Sequence, residues 1–158
     1  MKLLLVCTAN ICRSPMAHGA LDRLVRERGL NASITIDSAA THDYFIGAPP
    51  ETQACEEAAG RGFDISGLRA RAVTRADFDA FDLVLAMDRQ NLAHLQYLAP
   101  SSQRDKVRLF MSFAERRASD VPDPYGGGAR KFKRTMDIIE RGAGAVASYL
   151  AEDAIRDA

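Results

Sequence analysis

The stretch that decides the fold covers residues 2–16 and reads KLLLVCTANICRSPM. Residues 3–6 form a short continuous apolar run, which is typical of a strand buried on both faces. Pro15 then opens a helical pattern that lasts until Gly29, because proline suits the start of a helix and glycine suits its end. Residues 7–14 form a polar loop between the two elements. This order predicts an α/β fold with the loop at the carboxyl end of a strand.

The alternation of strands and helices continues along the rest of the chain. Further apolar runs predict strands at 34–36, 83–85 and 107–110. Helices are predicted at 51–60 and at 129–155, where Gly142 and Gly144 weaken the middle. A further helix is predicted to begin directly after Asp88, which can cap it. Loops are predicted at 41–50 and 121–128. Such an alternation implies right-handed crossovers and a parallel sheet covered on both sides, so residues 1–158 are predicted to form one domain.

The composition excludes several classes of protein. Apolar residues make up 47% of the chain, and Lys plus Arg balances Asp plus Glu at 21 each. A net charge of zero gives no general reason to expect nucleic acid or an anionic membrane as partner, although it leaves room for a local basic patch. The three cysteines and the lack of an export signal or membrane-spanning run predict a reducing, cytoplasmic environment. Without a Cys or His cluster, we expect no metal and no cofactor.

The loop at residues 7–14 has the residue types of an anion cradle. A loop at the carboxyl end of a strand can direct successive backbone N–H groups inward, and the amino terminus of the next helix adds a favourable dipole. Thr8 and Ala9 are small enough for a close approach of the backbone. Asn10 tolerates the left-handed conformation that a tight loop requires. The loop is therefore predicted to bind a phosphate group.

Cys7 and Arg13 supply the chemistry that such a cradle needs. Backbone N–H groups that bind phosphate also stabilise a thiolate, so Cys7 is a candidate nucleophile. Arg13 offers a planar, permanently charged fork for two phosphate oxygens. Ser14 can donate a hydrogen bond to the thiolate or cap the helix. A cysteine and an arginine separated by five residues between a strand and a helix are far more specific than either residue alone, and they favour attack on phosphate monoesters.

Residues 7–15 resemble the phosphate loop of the low-molecular-weight protein tyrosine phosphatases. The similarity extends, in order, through segments 37–41, 46–47, 70–71, 84–88, 91–92 and 123–125. The resemblance implies a four-stranded parallel sheet with helices on both faces. It also implies phosphotyrosine-containing proteins as substrates, with a tyrosine kinase as a candidate partner. It also implies Cys7 as nucleophile and Arg13 as phosphate binder. The remaining phosphate-binding residues would be Thr8, Ala9, Asn10, Ile11, Cys12 and Ser14.

The resemblance also assigns the acid and the walls of the cleft. The residues alone leave Asp120 and Asp123 as rival carboxylates in a turn-forming segment, whereas the resemblance implies Asp123 as the general acid. It implies Tyr44 and Tyr125 as aromatic walls of the substrate cleft. Relatives that act on phosphoarginine carry threonine at the place of Ile11, which favours phosphotyrosine here.

Relatives use the pair equivalent to Cys7 and Cys12 for redox control, so the resemblance implies a reversible disulfide there. Many relatives also carry a glutamate near position 18 and a histidine near position 68, where this chain has His18 and Leu68. Support of the loop is therefore expected to differ, while the reacting groups remain. The three histidines show no ligand spacing and are predicted to be surface or helix-face residues.

Two rival functions fit the same loop less well. Arsenate reductases need further cysteines near the strand at 83–85, but this chain has Ala86 there and its remaining cysteine, Cys55, is on a predicted helix. A phosphocarrier subunit of a sugar transport system also carries a cysteine after its first strand. Such a carrier needs neither Arg13 nor an acid such as Asp123, so an enzyme that turns over with water is favoured.

Overall fold

Four strands and five α-helices are present in the part of the chain that the computed structural model describes, residues 1–156. The strands are β1 (Lys2–Cys7), β2 (Thr35–Ala40), β3 (Leu83–Ala86) and β4 (Val107–Leu109). The helices are α1 (Arg13–Glu27), α2 (Thr52–Gly60), α3 (Asp77–Ala80), α4 (Arg89–Leu98) and α5 (Ala129–Arg156). Two short 3-10 helices lie at Ser101–Lys106 and Phe110–Phe113. None of these helices is long and apolar enough to cross a bilayer.

The strands form one parallel sheet in the order β2-β1-β3-β4. Side chains of β1 alternate between the two faces of this sheet, as period-two geometry requires. Leu3 and Leu5 join the core beneath α1 and α5, whereas Leu4 and Val6 join a second core beneath α4. All four are fully buried, which explains the continuous apolar run in the sequence. The prediction of a single α/β domain with a four-stranded parallel sheet covered on both faces is confirmed.

Several element boundaries differ from the sequence prediction. The second strand starts at Thr35 and runs to Ala40, because its polar half pairs with β1 although it interrupts the apolar run. Phe110 does not belong to β4: it starts a 3-10 helix and is fully buried against α5. The first helix starts at Arg13, two residues before Pro15. Helix α3 was not predicted, because four residues are too few to show a helical period.

The sheet order places residues 7–14 at a topological switch point. The chain leaves β1 to form β2 on one side and later returns to form β3 on the other side. Ligands of open α/β sheets bind outside the carboxyl ends of the strands at such a point. Cys7 ends β1, and Asp88 follows β3 at the same edge of the sheet.

Candidate active site

The loop between β1 and α1 turns its carbonyl groups outward. The Thr8 carbonyl accepts the His42 N–H at 3.0 Å, and the Ile11 carbonyl accepts the Glu51 N–H at 2.8 Å. Asn10 has a φ of 58°, the left-handed conformation predicted for it from the sequence. Flanking segments therefore hold the loop through its carbonyl groups.

Several backbone N–H groups of the loop lack a protein acceptor among residues 1–156. Within residues 1–156, the backbone N–H groups of Ala9, Ile11 and Cys12 donate to no protein atom. Ile11 and Cys12 are nearly fully buried, and a buried N–H without an acceptor is costly. The amino terminus of α1, which has no acidic residue in its first turn, follows directly. Together these dipoles form a site for a tetrahedral anion.

Cys7 lies beneath this cradle and is 3% exposed. Its Sγ is 3.1 Å from Ser14 Oγ and accepts the Asn10 backbone N–H at 3.3 Å. Asn10 Nδ2 donates to Ser14 Oγ at 2.7 Å, so the hydroxyl proton of Ser14 is free to point at the sulfur. Two donors thus converge on the sulfur and stabilise a negative charge there. Ser14 makes no helix-capping bond, so of its two predicted roles the contact with sulfur is the one observed.

A second layer of hydrogen bonds holds Asn10, and sequence reasoning missed it. Asn10 Nδ2 also donates to Ser38 Oγ at 3.1 Å, and Asn10 Oδ1 accepts the Arg71 backbone N–H at 3.1 Å. Ser38 Oγ lies 3.3 Å from His18 Nδ1. Burial lowers the pKa of His18, although two nearby carboxylates oppose this shift. The sequence contained one signal for the position of His18 near the loop. His18 is four residues after Ser14 and therefore lies on the same face of α1.

Arg13 is buried at the edge of the cradle, with a side chain 3% exposed. One of its nitrogens, Nη1, donates to Asp88 Oδ2 at 2.6 Å and to the Val121 carbonyl at 3.2 Å. Burial disfavours its charge, but nearby negative groups, of which Cys7 has the largest effect, raise the pKa of the guanidinium. The fork is thus fixed and charged before any ligand binds.

Asp88 and Asn91 connect the loop to helix α4. Asp88 Oδ1 accepts the Asn91 N–H at 2.8 Å, which confirms the predicted cap, while its other oxygen holds Arg13. Asn91 Nδ2 donates to Thr8 Oγ1 at 3.1 Å. Sequence analysis assigned neither residue to the site. Their position just after a buried strand, at the ligand-binding edge of the sheet, was the signal for both.

A cleft of about 220 Å³ opens above the cradle. Its lining residues are Cys7, Thr8, Ala9, Ile11, Cys12, Arg13, Tyr44, Phe45, Asp123 and Tyr125. Tyr44 and Tyr125 are 64% and 55% exposed, so they stand at the mouth, while the floor is buried. The rings of Phe45 and Tyr125 are 6.1 Å apart, and Tyr44 stacks on His42 at 5.1 Å. The cleft therefore has a buried floor and aromatic rings at its mouth.

The two rival carboxylates lie in different places. Asp123 lines the cleft, and its Oδ2 is 3.7 Å from Arg13 Nη2. Asp120 is not among the lining residues: its Oδ1 accepts the backbone N–H of Arg89 at 3.1 Å and the guanidinium at 2.9 Å. Only Asp123 is thus positioned to meet a group bound in the cleft.

Cys12 lines the cleft beside Cys7 but differs in its electrostatics. Burial, followed by the negative charges of Cys7, Asp123 and Glu51, raises the pKa of the Cys12 thiol far above its ordinary value. The Cys12 thiol is therefore harder to ionise than an ordinary cysteine thiol.

Arg71 is held by two carboxylates and is not simply a solvated surface residue. Arg71 forms ion pairs with Asp37 at 2.9 Å and with Asp77 at 3.0 Å. These pairs join β2 to α3 and place the Arg71 backbone where it meets Asn10. Arg71 is thus a structural residue, which its sequence neighbours did not indicate.

The fold and the cleft together define an α/β protein with a cleft at the carboxyl edge of a parallel sheet, above a buried cysteine, that is suited to an anionic group. The chain belongs to the low molecular weight phosphotyrosine protein phosphatase family, whose model matches residues 2–156. Members of this family are hydrolases that act on phosphoproteins. The family resemblance inferred from the loop is thereby confirmed.

Individual relatives cover most of the chain. A low molecular weight protein-tyrosine-phosphatase from Streptomyces coelicolor is 39% identical over 146 residues, 88% of this chain and 87% of its own length. A protein tyrosine phosphatase from Entamoeba histolytica, crystallised with Hepes in its active site, superposes with a TM-score of 0.92 at 32% identity, covering 97% and 98% of the two chains. The arginine phosphatase YwlE, in a mutant with a phosphorylated active-site serine, superposes with a TM-score of 0.87 at 28% identity and covers 97% of each chain.

Proposed function

We propose that this chain hydrolyses phosphotyrosine in proteins, and aryl phosphates, through a phosphocysteine intermediate on Cys7. One observation carries the proposal. The cleft has a sulfur with two converging donors at its floor, free backbone N–H groups and Arg13 around it, and Asp123 at its side. These are the nucleophile, the charge-stabilising groups and the acid that transfer of a phosphoryl group without a metal requires.

In the first step, the Cys7 thiolate attacks phosphorus while the bond from phosphorus to the phenolic oxygen breaks. The loop N–H groups and the Arg13 fork stabilise the equatorial phosphate oxygens. Asp123 donates its proton to the departing phenolic oxygen, so that tyrosine leaves as a neutral phenol. The product is a phosphate joined to Cys7 through sulfur.

In the second step, water replaces the sulfur. Asp123, now a carboxylate, accepts a proton from water as the water oxygen attacks phosphorus. The bond between phosphorus and sulfur breaks, and Cys7 leaves as a thiolate stabilised by Ser14 and the Asn10 N–H. Inorganic phosphate is released and the enzyme returns to its starting state.

The covalent step can be tested by trapping. In the structurally similar arginine phosphatase YwlE, a serine that replaces the cysteine carries a phosphate, which supports a phosphoenzyme on the same fold. We expect Cys7→Ser to lose turnover of phenyl phosphate and to gain the mass of one phosphoryl group on residue 7. Cys55→Ser, which changes a cysteine outside the cleft, is the matched control and keeps full turnover. Substantial turnover by Cys7→Ser would refute the covalent mechanism.

The acid can be tested by pairing the two rival aspartates. We expect Asp123→Asn to lower kcat by roughly 10²- to 10⁴-fold, the usual contribution of general acid–base catalysis. The loss shrinks for aryl phosphates with more acidic phenols, because their leaving groups need the proton less. Asp120→Asn is the matched control and changes kcat little, since Asp120 pairs with Arg89 outside the cleft. An exchange of these two results would reassign the acid.

The depth and walls of the cleft support phosphotyrosine as the substrate. The sulfur is buried while Tyr44 and Tyr125 stand exposed at the mouth, so a long, flat side chain reaches the floor better than a short one. Ile11 at the floor presents an apolar side chain and no hydroxyl to a phosphoguanidinium group. We expect phosphotyrosine peptides to have a much higher kcat/KM than matched phosphoserine or phosphoarginine peptides. An equal kcat/KM for the phosphoarginine peptide would instead favour arginine phosphatase activity, the activity by which YwlE is named.

We also propose where the protein works and how it is controlled. Three free cysteines, one of them the nucleophile, support a reducing, cytoplasmic environment. A tyrosine kinase is a natural partner, either as the source of the phosphoprotein or as the substrate itself. The adjacent Cys7 and Cys12 support reversible control by oxidation.

A further inference from the structure

The first two turns of α5 carry a concentrated positive charge. Four of the five residues at 130–134 are basic, although the chain as a whole has no net charge. We call Arg130, Lys131, Lys133 and Arg134 the α5 basic surface; all four are exposed. Phe132, the fifth residue, is 2% exposed and anchors the turn in the core. The surface is thus rigidly attached and wholly cationic.

No carboxylate within residues 1–156 forms an ion pair with any residue of the α5 basic surface. The acidic residues that follow on α5 are already engaged. Asp137 pairs with Arg61 at 2.7 Å, and Glu140 pairs with Arg61 at 2.9 Å and with Arg23 at 3.0 Å. The four positive charges are therefore available to a partner.

The placement of these charges does not serve the helix. The amino terminus of a helix carries a partial positive charge, which acidic residues stabilise and basic residues oppose. The first turn of α5 contains no acidic residue. Charged residues that are retained although they lower the stability of a helix are typical of a binding site.

The α5 basic surface is directly connected to the mouth of the cleft. Thr135 Oγ1 donates to the Pro122 carbonyl at 3.3 Å, which fixes α5 against the segment that carries Asp123. The stem of Lys131 lies along Gly127, where an added Cβ would be 3.0 Å from the lysine Cβ. Arg130 is five positions after Tyr125 in the chain, a distance of at most about 18 Å. An extended peptide covers that distance in about five residues.

We infer that the α5 basic surface binds an acidic segment of the phosphoprotein substrate, within about five residues of the phosphotyrosine. The inference rests on the proposed function and specifies its substrate class. Guanidinium groups pair with carboxylates through two parallel hydrogen bonds, and Arg130 and Arg134 lie one turn apart on the exposed side. A bilayer is a poorer fit, because Phe132 points into the core and leaves the surface without an apolar residue to insert.

The test compares three substrates at low ionic strength. They are phenyl phosphate, a phosphotyrosine peptide with glutamates on both sides, and the same peptide with glutamines. Exposed ion pairs contribute modestly each, so we expect wild type to prefer the acidic peptide in kcat/KM by roughly fivefold to thirtyfold, and less as salt is added. Arg130→Gln/Arg134→Gln loses this preference but still hydrolyses phenyl phosphate, which is too small to reach the surface. Its melting temperature is equal to or above that of wild type, because the helix dipole is no longer opposed.

The control removes the same charge elsewhere. Arg26 and Arg28 are exposed at the far end of α1, about 20 Å along the helix from Arg13. Arg26→Gln/Arg28→Gln keeps the preference for the acidic peptide; an equal loss in this control would attribute the effect to net charge and overturn the inference. Turnover of phenyl phosphate without any acidic preference also overturns it. Absence of all phosphatase activity would instead refute the proposed function. Salt-sensitive binding to phosphatidylserine vesicles without a preference for the acidic peptide would overturn the inference and indicate a membrane surface as the partner of the α5 basic surface.

Discussion

Gly142 and Gly144 lie two residues apart in the middle of α5, and we predict opposite effects when each is replaced by alanine. An alanine Cβ at position 142 would lie 2.9 Å from Phe110 Cδ1 and 2.8 Å from Met111 Sδ, and closer still to Phe110 Cε1. Both neighbours are fully buried in the core, so a shift of either disturbs its packing. A Cβ at position 144 has no heavy atom within 4 Å. The two substitutions are thus chemically identical and differ only in the atoms that the added methyl group contacts.

The magnitudes follow from two opposing contributions. Alanine stabilises a helix interior by about 1 kcal/mol relative to glycine, and this gain applies at both positions. At position 142 the overlap is well inside the ordinary carbon–carbon contact of about 3.5–4.0 Å, so we expect an overpacking cost of about 3 kcal/mol. Gly142→Ala is therefore destabilised by about 2 kcal/mol and Gly144→Ala is stabilised by about 1 kcal/mol. For a chain of this size, these values lower Tm by about 4–8 °C and raise it by about 2–4 °C.

Urea denaturation under reducing conditions, read by far-ultraviolet circular dichroism, measures both changes. We expect the midpoint to fall for Gly142→Ala and to rise for Gly144→Ala, with the same slope m as wild type. If both variants were stabilised equally, helix propensity alone would govern this helix, and the argument from packing against Phe110 would be refuted.

Three further predictions concern the site. Arg13→Lys replaces the fork with a point charge, so we expect kcat for phenyl phosphate to fall by about 10²- to 10³-fold while the circular dichroism spectrum is unchanged; near-normal kcat would show that charge alone suffices. Burial lowers the pKa of His18 below that of the unfolded chain, so the unfolded chain binds more protons below about pH 6.5 and stability falls as the pH drops. We expect His18→Asn to reduce the loss of unfolding free energy between about pH 7 and 5, and an unaltered pH dependence would contradict this. Peroxide oxidises the Cys7 thiolate to a sulfenic acid, and the Cys12 thiol then displaces water to form a disulfide, so dithiothreitol restores wild type. Cys12→Ser stays active but loses activity permanently after peroxide; its full recovery, or the absence of that disulfide in wild type by mass spectrometry, would refute the redox role.

The loop at residues 7–14 could be singled out from the sequence because its residues are consecutive. A strand followed by a tight turn and a helix start leaves the backbone few conformations, so the spacing of Cys7, Asn10 and Arg13 almost determines their geometry. The left-handed Asn10 and the capping Asp88 were predicted in the same way, from local conformational preferences. The parallel sheet followed from the alternation of elements and the handedness of their crossovers.

Residues far apart in the chain had no such local constraint. Asp88 lies 75 positions after Arg13, and their ion pair exists only because β1 and β3 are neighbours in the sheet. The contact of Ser38 with Asn10 depends likewise on the pairing of β1 with β2. Composition left Asp120 and Asp123 equivalent, and the cleft distinguishes them.

Sequence by itself determined the class of fold, the order of its main elements and the tight loop at residues 7–14, because each depends on short-range geometry and on the period of apolar residues. Tertiary structure alone decided which of two glycines tolerates a methyl group and which basic residues lack a partner. Helix propensity treats Gly142 and Gly144 alike, and composition treats Arg71 and Arg130 alike. Their differences arise from neighbours supplied by other parts of the chain, since packing and ion pairing act between groups that the sequence separates and only the folded chain brings together.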